Sequence, residues 1–197
     1  MKNNLLLIVL CLQAFLAFGQ EKKEADLLIS DASWGKEIIP MPIHFAPQIP
    51  YKGIEEIRFS PDWSKKESDG FWTYAFVWDI DLNKELSATD LENYLQYYFD
   101  GLMDGVNKDK GKILPKTIAL FLKKETTNKA FEFVGKLQIY NSFHTKDVMM
   151  LNCTVKQYYC KEKKKSMVLF YFSQKELDHA IWDKLYSVKL KGKPCKD

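Results

Sequence analysis

Apolar and polar residues alternate at period two through much of the chain, and two segments replace that rhythm with helical spacing. The densest apolar stretch runs from Phe71 to Ile80. Trp72, Tyr74, Phe76, Trp78 and Ile80 fall at one parity, and Phe71, Thr73, Ala75, Val77 and Asp79 at the other. Rings, β-branched residues and the absence of proline predict a strand with one ring-laden face and one small face. Apolar on both sides, it should be covered on both. Ile54–Phe59 predicts a neighbouring strand, joined to it by the polar loop Ser60–Gly70. If Phe59 faces Phe71, Arg58 lies opposite Trp72 and Glu56 opposite Tyr74, on the ring-laden face. A one-residue slip would reverse that.

Ser87-Ala88-Thr89-Asp90 has the form of a capping box. Leu91, Tyr94, Leu95, Tyr98, Leu102 and Val106 follow at helical spacing, and Phe99 and Met103 widen the stripe. The helix should end near Gly105 and pack on the Thr73/Ala75/Val77 face. Four strands are predicted next, as a meander: Thr117–Lys124, Phe131–Tyr140, Val148–Tyr159 and Met167–Ser173. A second capping box at Ser173–Glu176 predicts a final helix of about fourteen residues. Before all of these, Pro40, Pro42, Pro47 and Pro50 exclude helix or central strand, so residues 34–51 should form an extended edge or strap. The fold class is therefore α+β. It comprises a mainly antiparallel sheet of about six strands in the order β-β-α-β-β-β-β-α, with two helices.

Lys2 followed by the apolar run Leu5–Phe18 and the small-x-small triplet Ala17-Phe18-Gly19 predicts an export signal over residues 1–19. Residues 20–197 then form a single domain, periplasmic or secreted, with no transmembrane segment. Cys11 follows Leu10, where a lipid-attachment signal would carry a small residue. Charge divides along the chain. Gly53–Asp104 carries 4 basic and 12 acidic residues, a net −8, whereas Gly105–Asp197 carries 20 and 9, a net +11. A single arginine, Arg58, argues against nucleic acid as a partner.

Cys153 and Cys160 lie on one predicted strand and point to opposite faces, about 23 Å apart, so they cannot bridge. The next strand and the last helix return the chain toward the Lys161–Lys165 turn. That path predicts a Cys160–Cys195 disulfide, suited to an oxidising compartment, and a buried thiol at Cys153.

His44, His144 and His179 show no metal-ligand spacing, and no Cys-x-x-Cys, phosphate loop or nucleophile elbow is present. No cofactor, metal or catalytic residue is expected. Asp178, His179 and Asp183 read as surface groups of the last helix. The sequence reads as a non-enzymatic binding or interaction module; the alternative is a hydrolase-type enzyme resting on Asp79 and Asp81, which share parity at a strand end. The module's ligand-binding residues would be Arg58, Trp72, Tyr74, Trp78 and Asp79, with rings to stack on a sugar or hold an apolar molecule. A glycan, an apolar ligand or another envelope protein is then the partner. If the strap covers that face instead, the rings are core.

Phe45-Ala46-Pro47, Gly53-Ile54-Glu55-Glu56-Ile57-Arg58-Phe59-Ser60-Pro61 and Phe71-Trp72-Thr73-Tyr74-Ala75-Phe76-Val77-Trp78 resemble a family of exported bacterial proteins of unknown function. The resemblance spans Trp34 to about Leu102 and implies no activity.

Overall fold

The computed structural model describes residues 25–124 and 131–195, so the expected signal over residues 1–19 lies outside the described residues. The chain is α+β; the described residues form two α-helices and nine strands in two antiparallel sheets rather than about six strands in one. In chain order these are β1 (Leu28–Ile29), β2 (Gly35–Met41), β3 (Gly53–Phe59), β4 (Tyr74–Asp81), α1 (Ala88–Val106), β5 (Ile118–Lys124), β6 (Phe131–Tyr140), β7 (Val148–Cys160), β8 (Lys165–Ser173), α2 (Ile181–Ser187) and β9 (Lys189–Leu190). The main sheet has the order β2-β3-β4-β8-β7-β6-β5, and β1 pairs β9 in a small second sheet. Helix α1 carries the chain from β4 to the far edge, and the meander β5–β8 walks back until β8 pairs with β4.

Both faces of β4 are covered, but α1 packs on the ring face and not on the expected Thr73/Ala75/Val77 face. The ring face meets α1: Tyr98 stacks on Phe76 at 5.5 Å between centroids, and Phe99 meets Phe172 edge-on at 5.8 Å. Ala75 and Val77 meet Ile181, Trp182 and Leu185 of α2 instead, together with Leu28 and Val188. The longer helix, with Leu91, Leu95, Tyr98, Phe99 and Met103 buried, takes the larger apolar face. Each such side chain contributes about 1.5–3 kcal/mol of burial. The Ser87–Asp90 capping box forms as expected.

The β3–β4 register also differs. Phe59 lies opposite Tyr74, not Phe71, and Glu56 opposite Val77. Phe71 and Thr73 still belong to successive turns, donating their backbone N–H to Ser68 and Gly70, and Trp72 has φ 51°. The strand therefore starts at Tyr74. The shift is odd, so every β3 side chain changes face. Glu56 and Arg58 point away from the rings, and Glu55 points among them.

Strand β2 is an edge strand containing Pro40, and the strap beyond it buries Ile43, Ala46 and Ile49 in the ring-face core. The strap backbone crosses α1 at Gly101, where an added Cβ would lie 1.8 Å from the Phe45 carbonyl oxygen. At the opposite edge, Thr117 and Phe121 donate their backbone N–H to the Asp100 and Glu92 carboxylates of α1, at 2.7 and 2.9 Å.

The final helix is seven residues long, not about fourteen. Ser173 still belongs to β8, and its hydroxyl contacts that of Thr73 at 3.0 Å and accepts from the Lys175 N–H at 3.2 Å. Turns follow until His179 Nδ1 accepts the Ile181 N–H at 3.1 Å. The Cys160–Cys195 disulfide forms, with Cα atoms 5.2 Å apart, and Cys153 is a buried free thiol. Among the described residues no helix is long and apolar enough to cross a membrane.

Candidate functional site

One end of the ring face is left uncovered between α1 and the β2 edge. The resulting groove has a volume of about 730 Å³. Its floor comes from Ile39 of β2, Ile57 and Phe59 of β3, and Tyr74 of β4. Tyr98, Leu102, Gly105 and Val106 of α1 form one wall, with His44 and Phe45 of the strap beside them. Trp63 and Trp72 close the end from the β3–β4 loop, and Phe143 reaches in from the β6–β7 loop.

Local geometry fixes each of these rings. Trp72 donates its backbone N–H to the Trp63 carbonyl at 2.9 Å, which ties the two ends of their loop together. Their rings stand 6.2 Å apart, and Trp63 lies 4.8 Å from Phe59. Asn141 Oδ1 accepts from the backbone N–H of Phe143 and His144 at 3.0 and 2.9 Å, an Asx turn that holds Phe143 beside Trp63 and Trp72. Phe45 meets Tyr98 edge-on at 5.2 Å.

Charge is sparse. Glu37, exposed on β2, is the one carboxylate among the described residues that line the groove. Trp72 is 2% exposed, and its indole N–H has no hydrogen-bond partner among the described residues. Behind Trp63 and Phe71, the His144 ring lies 5.4 and 5.6 Å away. Burial, aided by Lys66 and Lys146, lowers its pKa and keeps the imidazole neutral. Beneath the wall, Glu55 is fully buried and accepts from Trp78 Nε1 at 2.6 Å and from the Tyr98 hydroxyl at 2.8 Å. Burial pushes its pKa up to about 7 against those two donors.

The structure brings Trp72 and Tyr74 into the groove and separates the other expected ligand-binding residues from it. Trp78 is wholly interior and bonded to Glu55. Arg58 lies on the opposite face, where its guanidinium pairs with Glu56 at 2.5 Å and donates to the Leu28 carbonyl at 2.9 Å. Glu56 in turn accepts from the Leu27 and Leu28 N–H groups at 2.6 and 3.1 Å, so the pair clamps the strand β1. Asp79 is half-buried on that face, and Asp81 is exposed, 3.9 Å from Lys165. Neither lines the groove.

A second concavity of about 720 Å³ lies on the other side of the β3–β4 loop, where Asp31, Asp62, Asp69 and Asp183 line it together with Trp34 and Ile181. Three of the aspartates are already held: Asp31 by Ser33, Asp62 by Lys65 and Asp69 by Lys175. Among the described residues, no group of three or more His, Cys, Asp or Glu side chains is placed to hold a metal ion.

Sequence reasoning missed Phe45, Phe59, Trp63, Tyr98 and Phe143 as groove residues. Trp63 and Phe143 carried a signal, since each is a lone large ring in an otherwise polar loop. Comparison with protein families, curated proteins and solved structures finds no match to this chain.

Proposed function

We propose that the protein is an exported, non-enzymatic binding module whose groove takes a small, mainly apolar ligand. The observation that supports this reading is the convergence of seven rings on one open concavity: Phe45, Phe59, Trp63, Trp72, Tyr74, Tyr98 and Phe143. Small-molecule sites share this character, mostly apolar with a few polar groups that orient the guest. Among the described residues Glu37 is the one carboxylate that lines the groove, so no acid pair is gathered there. Export rests on the apolar N-terminal segment and is compatible with the Cys160–Cys195 disulfide.

The test is fluorescence titration with N-phenyl-1-naphthylamine, an apolar dye that brightens in dry sites. The wild type should bind it saturably with one site. Gly105→Trp, placed where an added Cβ meets nothing within 4 Å, should fill the groove and abolish binding. Absence of binding by the wild type, or equal binding by the variant, refutes the reading.

A further inference from the structure

Resting on that reading of the groove, we infer that its ligand is a cationic amphiphile, an apolar body bearing an ammonium group, with the ammonium seated at the β2 edge against Glu37 and the Phe59 ring. The register of β2 on β3 fixes this corner. Glu37 lies opposite Ile57, a core residue of the ring face, so its side chain belongs to that face too. Phe59 lies opposite Gly35. An added Cβ at Gly35 would touch the Phe59 ring at 3.7 Å, so that ring lies over a bare glycine, one diagonal step from Glu37. Phe59 is half-buried, as is Trp63, whose ring centroid stands 4.8 Å from its own. Aromatic faces attract a cation through their quadrupole, and a carboxylate beside them adds a full opposite charge.

Among the described residues no lysine or arginine lines the groove. The basic residues of β2 and β3 are Lys36 and Arg58, which face each other in the register and so lie on the opposite side of the sheet. There the Lys36 ammonium donates to the Ala25 carbonyl, and Arg58 pairs with Glu56. On the groove side the nearest strand neighbour of like kind is Glu55, opposite Ile39, and the Glu37 charge adds to the burial that raises its pKa. The corner is thus negative, with the cations of its own strands turned away. An anion entering there would meet Glu37 and lose its hydration among rings. Its counterions would have to be Lys66 and Lys146, whose charges help to lower the His144 pKa on the loop side. Neither lines the groove, and the Lys146 ammonium already donates to the Ser142 carbonyl. Their charge instead orients a cationic guest, ammonium toward β2 and apolar body toward Trp72 and Phe143.

Three ten-carbon chains that differ in charge read the preference: decyltrimethylammonium, 1-decanol and decanoate. Each is kept below any micelle-forming concentration and titrated to displace N-phenyl-1-naphthylamine. With the wild type, the ammonium should act at about a tenfold lower concentration than the alcohol, the factor that a ring face and an exposed carboxylate supply together. Decanoate should be the weakest of the three. Glu37→Gln should reduce the preference for ammonium over alcohol by about threefold, leaving the share due to the rings. Glu37→Lys should turn the preference toward decanoate. Glu37 is exposed, so neither substitution enters the core, and a ratio between two ligands cancels any general weakening of the groove. A wild type that takes the alcohol or decanoate as tightly as the ammonium overturns the inference and leaves the groove reading standing. So does an ammonium preference that neither substitution moves. If the wild type does not bind the dye, both fall together.

Discussion

The Glu55 carboxyl lies 2.6 Å from the indole nitrogen of Trp78 and has no exposure to solvent. Its pKa rises from 4.5 in the open chain to about 7 in the fold, chiefly because burial disfavours the charge. The folded protein therefore holds a proton that the unfolded chain releases. The stabilisation is complete below about 4.5, declines as pH rises toward 7, and is lost above it, by about 1.4 kcal/mol per pH unit and about 3 kcal/mol in all. His144, with a lowered pKa, acts in the opposite sense below its ordinary value of 6.5. Urea denaturation at pH 5 and pH 8 should show wild type less stable at the higher pH. In Glu55→Gln, which stays neutral, this component should vanish. An unchanged pH dependence in the variant contradicts the assignment.

Glu56 and Arg58 form a buried pair with the β1 backbone as their third member. Glu56→Gln leaves the Arg58 charge buried without its counterion, so a loss of about 3–5 kcal/mol is expected. Amide exchange at Leu27 and Leu28 should accelerate more than exchange in β5–β7. Uniform acceleration would mean the pair supports the whole domain and not the N-terminal strand.

The disulfide joins Cys160 to a residue 35 positions later, enclosing β8, α2 and β9. Cys195→Ser should lower stability by about 3–4 kcal/mol. The Lys189–Leu190 amides, paired with β1, should lose protection first. Equal denaturation midpoints for wild type and variant would show that this closure contributes nothing.

Two glycines of α1 provide a matched test of the strap. At Gly101 an added Cβ collides with the Phe45 carbonyl, whereas at Gly105 it meets nothing within 4 Å. Gly101→Ala should destabilise by about 1–3 kcal/mol through displacement of the strap. Gly105→Ala should stabilise by about 0.5–1 kcal/mol through helix propensity. Thermal midpoints moving in the same direction would show that the strap does not rest on Gly101.

Where alternation was unbroken, the strands were legible: β6 spans Phe131–Tyr140 and β8 ends at Ser173, as the pattern implied. The disulfide followed from one strand leading away from the Lys161–Lys165 turn and the C-terminal segment leading back to it, although the returning helix has seven residues and not about fourteen. Failure came where local turns overrode apolarity. Phe71 and Trp72 have the composition of a strand, yet hydrogen bonds to Ser68 and Trp63 bend them out of it, and that bend moved Glu55 and Arg58 to faces opposite those expected. Ser173 resembles a cap but remains in the sheet. The groove was hidden for a different reason. Its rings come from the strap, β3, the loop after it, β4, α1 and the β6–β7 loop, and no sequence period links them.

The carboxylates of Glu92 and Asp100, which accept from the backbone at the β5 edge, bear on how the protein behaves in company. Sheet proteins polymerise when a neighbour's strand docks onto unpaired amides at a margin. Here a helix occupies two of those amides at one margin, and Pro40 withholds a donor at the other. Growth of the sheet into fibres is thereby discouraged from both sides, and association with other molecules is left to the faces and the ring-lined opening.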